Sequence, residues 1–210
     1  MAGFFLYSLD AEAFEQLTAA PTKAQCLAGA DAMLEDLEER LGDYDGDEAA
    51  DPDKWPLDRL PLAKAIRARL VSPDWYSDLT MGDAAIWDDM VFQLVQDDGM
   101  DFRNDNDGFL YWDAARIAAG NGAPTMAEQP FGRAGFRHTG VSAGDLDLMY
   151  TVFLPDHVVQ LLEELEAAAP HFETLPATPE DDRDQFFRGL LEPVRRIAAE
   201  DRVLWVQTDT

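Results

Sequence analysis

The sequence predicts an α+β fold, a mostly helical single domain spanning 1–210 with a small sheet. Three observations lead there. A run of aromatic and aliphatic residues opens the chain, Phe4-Phe5-Leu6-Tyr7 within 3–9. Residues 145–154 alternate, with Leu146, Leu148, Tyr150, Val152 and Leu154 set against Asp145, Asp147, Met149, Thr151 and Phe153. Between and after these runs, apolar residues recur at helical spacing. The sheet is expected to hold the N-terminal strand, the strand at 145–154 and a C-terminal strand at 203–206. With 47% apolar and 10% aromatic residues in 210, material for a core is ample. A chain of this size buries about 70% of its extended surface.

The elements follow in order. After the first strand, Asp10 begins a short helix that turns Phe14 and Leu17 inward. Thr22 and Gln25 have the spacing of a capping box. Behind them Cys26, Leu27, Ala30, Met33, Leu34, Leu37 and Leu41 follow a helical period, which Gly42 ends. The opposite face of this helix is Asp31, Glu35, Asp36, Glu38 and Glu39. Residues 42–56 read as an acidic loop. A helix is expected over 61–71 on Leu62, Ile66 and Leu70, broken by Ser72-Pro73-Asp74, with Trp75-Tyr76 as an anchor. Thr80 precedes a helix to about 96 with Ala84, Trp87, Val91, Leu94 and Val95 facing in. Residues 97–108 are polar and turn-rich, 109–112 are aromatic, and a brief helix runs to Gly120. Residues 120–144 are a Gly-rich loop. Pro155-Asp156 starts a helix with Val158, Leu161, Leu162 and Leu165 inward. An acidic connector over 171–184 leads to a helix over 184–199.

The charge excludes whole classes of partner. Forty-two acidic side chains against 16 basic ones give −26. That excludes simple electrostatic binding to nucleic acid, which relies on Lys/Arg clusters, and to an anionic membrane surface. No apolar run reaches the roughly 18 residues of a spanning helix. One cysteine, Cys26, allows no internal disulfide and no multi-thiol metal site. A bacterial cytoplasmic location is the expectation, and no cofactor is implied. The acid is mainly Asp (28 against 14 Glu) and the base mainly Arg (13 against 3 Lys). Salt adaptation or a GC-rich genome would produce the same bias without any partner.

Three segments carry a family resemblance. They are Gly3-Phe4-Phe5-Leu6-Tyr7-Ser8-Leu9-Asp10-Ala11-Glu12-Ala13-Phe14, Phe153-Leu154-Pro155-Asp156-His157-Val158-Val159-Gln160-Leu161-Leu162, and Phe186-Phe187-Arg188-Gly189-Leu190-Leu191 continuing through Ile197 to Val206. Together they resemble the YfbM-like family of uncharacterised bacterial proteins, over about a third of the chain. The family's Trp-His helix before the middle has only an echo here, Asp53-Lys54-Trp55 followed by Pro56. The resemblance implies an α+β fold of similar plan and no known activity.

Chemical motifs are sparse. The run Asp97, Asp98, Asp101, Asn104, Asp105, Asn106, Asp107, Gly108 suggests calcium. An EF-hand with Gly108 sixth would begin at Arg103 and end at Ala114, where Asp and Glu are required. Such Asp/Asn runs also build turns on their own backbone, and no metal site is assigned. Gly140-x-Ser142-x-Gly144 precedes a strand, not a helix, and so lacks a nucleophile elbow. His138, His157 and His171 have no zinc spacing. The Gly-rich loop gathers Arg133, Arg137 and His138, a local positive site able to receive a carboxylate or phosphate. The alternative is that both Arg pair with surplus carboxylates.

Two functional readings of different class result. One is a non-enzymatic, immunity-like module that docks a basic protein through Glu35, Glu38, Glu39, Asp43, Asp45, Asp47 and Glu48. Residues 1–50 hold 12 acidic and 2 basic side chains, whereas 101–150 hold 7 and 4. The other is a small-molecule enzyme or sensor with an anionic ligand at Arg133, Arg137 and His138. A surface acidic only through salt adaptation is the third possibility.

Overall fold

The strand expected at each end of the sequence forms, and the two find each other. In the computed structural model β1 (Gly3–Leu9) and β5 (Val203–Asp209) pair antiparallel over their full length, Gly3 opposite Asp209 and Leu9 opposite Val203. The structure describes residues 3–42, 50–51, 53–72, 75, 78–97, 100–105, 110–127, 150–176 and 182–209. β4 (Tyr150–Phe153) flanks β5, and β2 (Phe102–Asn104) flanks β1, in the order β2-β1-β5-β4. A short β3 (Leu110–Tyr111) also pairs with β1, beyond β2, with its register slipped by three residues relative to β2. The backbone N–H of Asp105 bonds Leu6 between them, at 3.0 Å. The α+β class, mostly helical with a small antiparallel sheet, is the observed one.

The chain divides into two compact units. The described residues of the first lie within 3–11, 101–127 and 150–209 and contain the sheet. Phe4, Leu6, Phe153, Leu204 and Val206 pack there with α5 (Trp112–Gly120), α6 (Pro155–Glu173) and the final helical segment. That segment is α7 (Asp182–Phe186), a π-helical turn (Phe187–Leu191) and α8 (Glu192–Ala199). The π turn has a local cause. Pro193 has no N–H for the Gly189 carbonyl and its ring would strike that oxygen. The wider turn relieves this, and the Glu192 N–H bonds back to Phe187. α6 continues through Pro170 to Glu173, so the connector expected from 171 starts later. Pro170 lies on the exposed face, where the carbonyl it leaves without an N–H donor is open to solvent. Phe172 anchors the last turn by stacking on Phe186, centroids 3.8 Å apart.

Three further expectations are corrected. Residues 102–104 are an edge strand within the stretch read as turns, because Arg103 and its neighbours gain ladder partners on β1. β4 is not half-buried. Thr151, Val152 and Phe153 are all buried, Phe153 in the helix-side cluster. The third helix starts earlier than residue 61, since Pro61 sits in its first turn, where no backbone N–H is needed.

The second unit, described within 12–100, is helical: α1 (Ala11–Ala19, shared at its first residue with the other unit), α2 (Lys23–Gly42), α3 (Arg59–Leu70) and α4 (Met81–Asp97). The capping box at α2 is formed. Thr22 N donates to Gln25 Oε1 at 2.7 Å and Gln25 N to Thr22 Oγ1 at 3.2 Å. α2 packs on α3 and α4. Gly29 permits a close approach, for a Cβ there would lie 2.9 Å from Met90 Sδ. Trp75 is buried as expected, edge-on to Trp87 at 5.8 Å, while Tyr76 lies outside the described residues.

α8 ends in a paired cap. Arg202 N bonds Ile197 O at 3.1 Å and Asp201 N bonds Ala198 O at 3.2 Å, with Asp201 at φ 54°. This is the Schellman pattern with Asp where glycine is usual. Asp201→Gly is expected to raise stability by about 0.5–1 kcal/mol, and Asp201→Val to lower it by about 1–2 kcal/mol, since only the latter clashes in the left-handed region. Urea unfolding midpoints of the three proteins check this ordering.

Candidate functional site

The residues singled out for function fall into three groups. Arg133, Arg137 and His138 lie outside the described residues, as does Gly140-x-Ser142-x-Gly144. Asp43, Asp45, Asp47 and Glu48 do too. Glu39 belongs to α2, with its side chain outside the description. Glu35 and Glu38 are described. Both are exposed on α2, on the seam that continues from Asp31, and neither makes an ion pair with a described residue. Asp31 differs, being held by Arg59, whose guanidinium keeps its carboxyl below the usual range.

The end of the acidic loop is anchored, and a buried carboxylate does it. Asp83 is fully buried in the first turn of α4. Thr80 and Asp83 form a second capping box, Asp83 N to Thr80 Oγ1 at 3.0 Å and Thr80 N to Asp83 Oδ2 at 3.0 Å. The same carboxylate accepts the Asp51 N–H at 2.9 Å and the Trp55 indole N–H at 2.9 Å, with Lys54 Nζ at 3.5 Å. Burying a charge is tolerable only with such partners. One side chain therefore pins residues 51–55 against α4.

Pinning Trp55 creates a recess. Its ring stacks on Trp87 at 6.0 Å and 16°. Arg69 of α3 lies over both rings, 5.3 Å from the Trp55 centroid and 6.0 Å from that of Trp87, and donates to the Trp75 carbonyl at 2.6 Å. A pocket of ≈ 380 Å³ opens beside them, lined by Lys54, Trp55, Ala65, Ala68, Arg69 and Asp78 among others. Asp78 has φ 63°, a left-handed backbone for a residue bearing a side chain. Strain of this kind clusters at ligand sites.

α3 supplies Ala65, Ala68 and Arg69 to the recess and departs from the rest of the chain. Residues 59–73 contain Arg59, Lys64, Arg67 and Arg69 and no acid, in a protein of −26. These four positions form no motif, unlike the cluster of Arg133, Arg137 and His138 in the Gly-rich loop. A charge count along the chain reveals them. The pattern Thr80-x-x-Asp83 was equally legible as a helix start.

Elsewhere the charged side chains serve structure. Arg202 bonds Asp101 Oδ2 at 2.6 Å and the Ser8 carbonyl at 3.2 Å, and Arg196 Nε bonds Asp105 Oδ1 at 2.7 Å. Arg103 pairs with Glu200. Glu164 accepts both the N–H and the hydroxyl of Thr125, at 2.9 and 3.0 Å, which holds the 3-10 turn Pro124–Ala127 to α6. Burial pushes the Cys26 thiol up, against an opposing effect of Arg67, and pushes His157 down, against Asp156. A raised thiol is a poor nucleophile at neutral pH. Among the described residues no group of three or more His, Cys, Asp or Glu could hold a metal ion, and no helix is long and apolar enough to cross a membrane.

Comparison with protein-family models, with curated proteins and with solved structures gives no match.

The Asp83 cluster makes a stability prediction. Asp83→Ala strands the Trp55 and backbone N–H donors together with Lys54, and is expected to cost about 3 kcal/mol or more. Asp53→Ala, at an exposed position two residues from Asp51, is expected to change stability by less than about 0.5 kcal/mol. Denaturant melts followed by tryptophan fluorescence measure both.

Proposed function

We propose that this chain is a non-enzymatic binding module of the bacterial cytoplasm, immunity-like in action, which docks a basic protein through the acidic face of α2. One observation carries the reading. Glu35 and Glu38 stand exposed on one face of α2, and neither makes an ion pair with a described residue. The neighbouring acids Glu39, Asp43, Asp45, Asp47 and Glu48 extend the same charge along the sequence. Complementary charge of this kind speeds association and makes it salt-sensitive.

A second reading has its own support. Residues 12–100, 89 of the 210, carry 21 acidic and 7 basic side chains, and the other 121 carry 21 and 9. Acid in excess in both stretches, although denser in the first, fits a salt-adapted surface with no partner.

One comparison separates the two. The double variant Glu35→Lys/Glu38→Lys and the control Glu163→Lys/Glu173→Lys on α6 change the net charge equally at exposed positions. With basic proteins retained on the immobilised chain at low salt, the α2 variant is expected to lose at least tenfold in affinity and the α6 control less than threefold, with about 1.4 kcal/mol per tenfold as the scale. Equal losses, or no retention of any basic protein, sink the docking reading. Equal losses would favour the adapted surface.

A further inference from the structure

We propose that the exposed face of α3 docks onto the exposed face of α6 in a second copy of this chain. The contact uses neither Glu35 nor Glu38 and is independent of the α2 docking face. Among the described residues the exposed large apolar side chains are Leu57, Leu60, Val71 and Val159, between 44% and 59% exposed. Single apolar residues scattered over a surface carry no message. Here three belong to α3 and the residues beside it, and the fourth to α6.

The two faces share one spacing. Leu60, Lys64, Arg67 and Val71 follow at steps of four, three and four residues, all exposed. Val159, Glu163, Glu166 and Pro170 repeat those steps on α6, again all exposed. Such steps keep four side chains in one stripe along a helix, about 16 Å long. Each stripe is apolar at its ends and charged in its middle, cationic on α3 and anionic on α6. The steps read the same in both directions, so the two helices match whether they lie parallel or antiparallel. Apolar ends then meet apolar ends, and each cation meets a carboxylate.

The central charges are open to a partner. Lys64 and Arg67 make no ion pair with a described residue, in contrast to Arg59, held by Asp31, and Arg69, turned to the Trp75 carbonyl. Glu163 also pairs with no described residue. Glu166 pairs with Arg195 at 3.1 Å, both side chains being 52% exposed. An exposed pair of this kind contributes at most about 1 kcal/mol and yields to a better-enclosed partner. α2 is the other acidic helix, but no exposed large apolar residue lies on it, and its Asp31 is already held. Charge and apolar ends together therefore select α6. Two chains of −26 repel at long range. That field is screened within about 5 Å at roughly 0.4 M salt, whereas pairs enclosed between touching faces are screened less. A single helix-on-helix contact is small, and the association is accordingly weak.

Sedimentation equilibrium of the full chain at roughly 0.4 M sodium chloride tests this. The parent is expected to associate reversibly with a Kd near about 100 µM. Lys64→Glu/Arg67→Glu makes both stripes acidic, and Glu163→Lys/Glu166→Lys makes both basic. Each variant alone, folded by its circular dichroism, is expected to stay monomeric up to about 1 mM. An equimolar mixture of the two is expected to associate within about threefold of the parent, since every acidic stripe then has a basic one to meet. Glu35→Lys/Glu38→Lys is expected to associate as the parent does, which separates this contact from the α2 docking face. The proposal is overturned if the parent is monomeric at about 1 mM, which would leave α3 to an acidic helix of another protein. It is equally overturned if either folded variant alone associates as the parent does, if their mixture does not associate, or if Glu35→Lys/Glu38→Lys abolishes the association.

Discussion

The pairing of β1 with β5 is the constraint on which the sheet-bearing unit rests. It joins residues 3–9 to 203–209 and so closes a loop of nearly the whole chain. The length-dependent entropy of that closure is on the order of 5 kcal/mol. The ladder alone is small recompense, and burial supplies the rest. Leu6 and Val206 sit opposite each other and Leu204 opposite Ser8, with their apolar side chains in one cluster with α6 and α8. Arg202, just before β5, bonds both the Ser8 carbonyl and Asp101. It thus ties the start of the last strand to the end of the first and to the approach to β2. The Schellman cap at Asp201 sets the direction in which the chain leaves α8 to enter β5. Both β2 and β4 depend on the central pair for their own partners.

The helical unit has a different centre, a buried carboxylate among tryptophans. Asp83 satisfies donors from Thr80, Asp51 and Trp55. Each bond has a separate consequence: the start of α4, the path of the chain at residue 51, and the orientation of an indole. Trp55, Trp87 and Trp75 then form a connected aromatic group with Arg69 laid across two of them. Removing the acid would disturb all three, which is why a single polar residue matters more here than its size suggests.

The net charge of −26 resolves into parts with different meanings. Several arginines are committed to acids within one unit, Arg196 to Asp105, Arg202 to Asp101 and Arg103 to Glu200. Such pairs position backbone segments and add little to binding potential. Glu35 and Glu38 pair with no described residue, while residues 59–73 hold four basic side chains and no acid, one of which, Arg59, is committed to Asp31 of α2.

The sequence by itself determined the class and most elements of this protein. Periodicity placed Leu62, Ile66 and Leu70 inside α3, Thr22 and Gln25 marked the start of α2, and the aromatic run at 3–9 marked the first strand. Those signals act over one turn or one strand, so nearby residues suffice to read them. It also determined the charge, and with it the partners that are excluded. Only the tertiary structure decided that β4 is enclosed on both faces, that 102–104 is drawn into a strand, and that the helix of 155–173 runs past its proline. Each depends on what a distant segment offers as a ladder partner or a packing surface. The recess is of the same kind. Lys54, Arg69 and Asp78 have no local pattern in common, and it took the long-range bond between Asp83 and Trp55 to set them around one space.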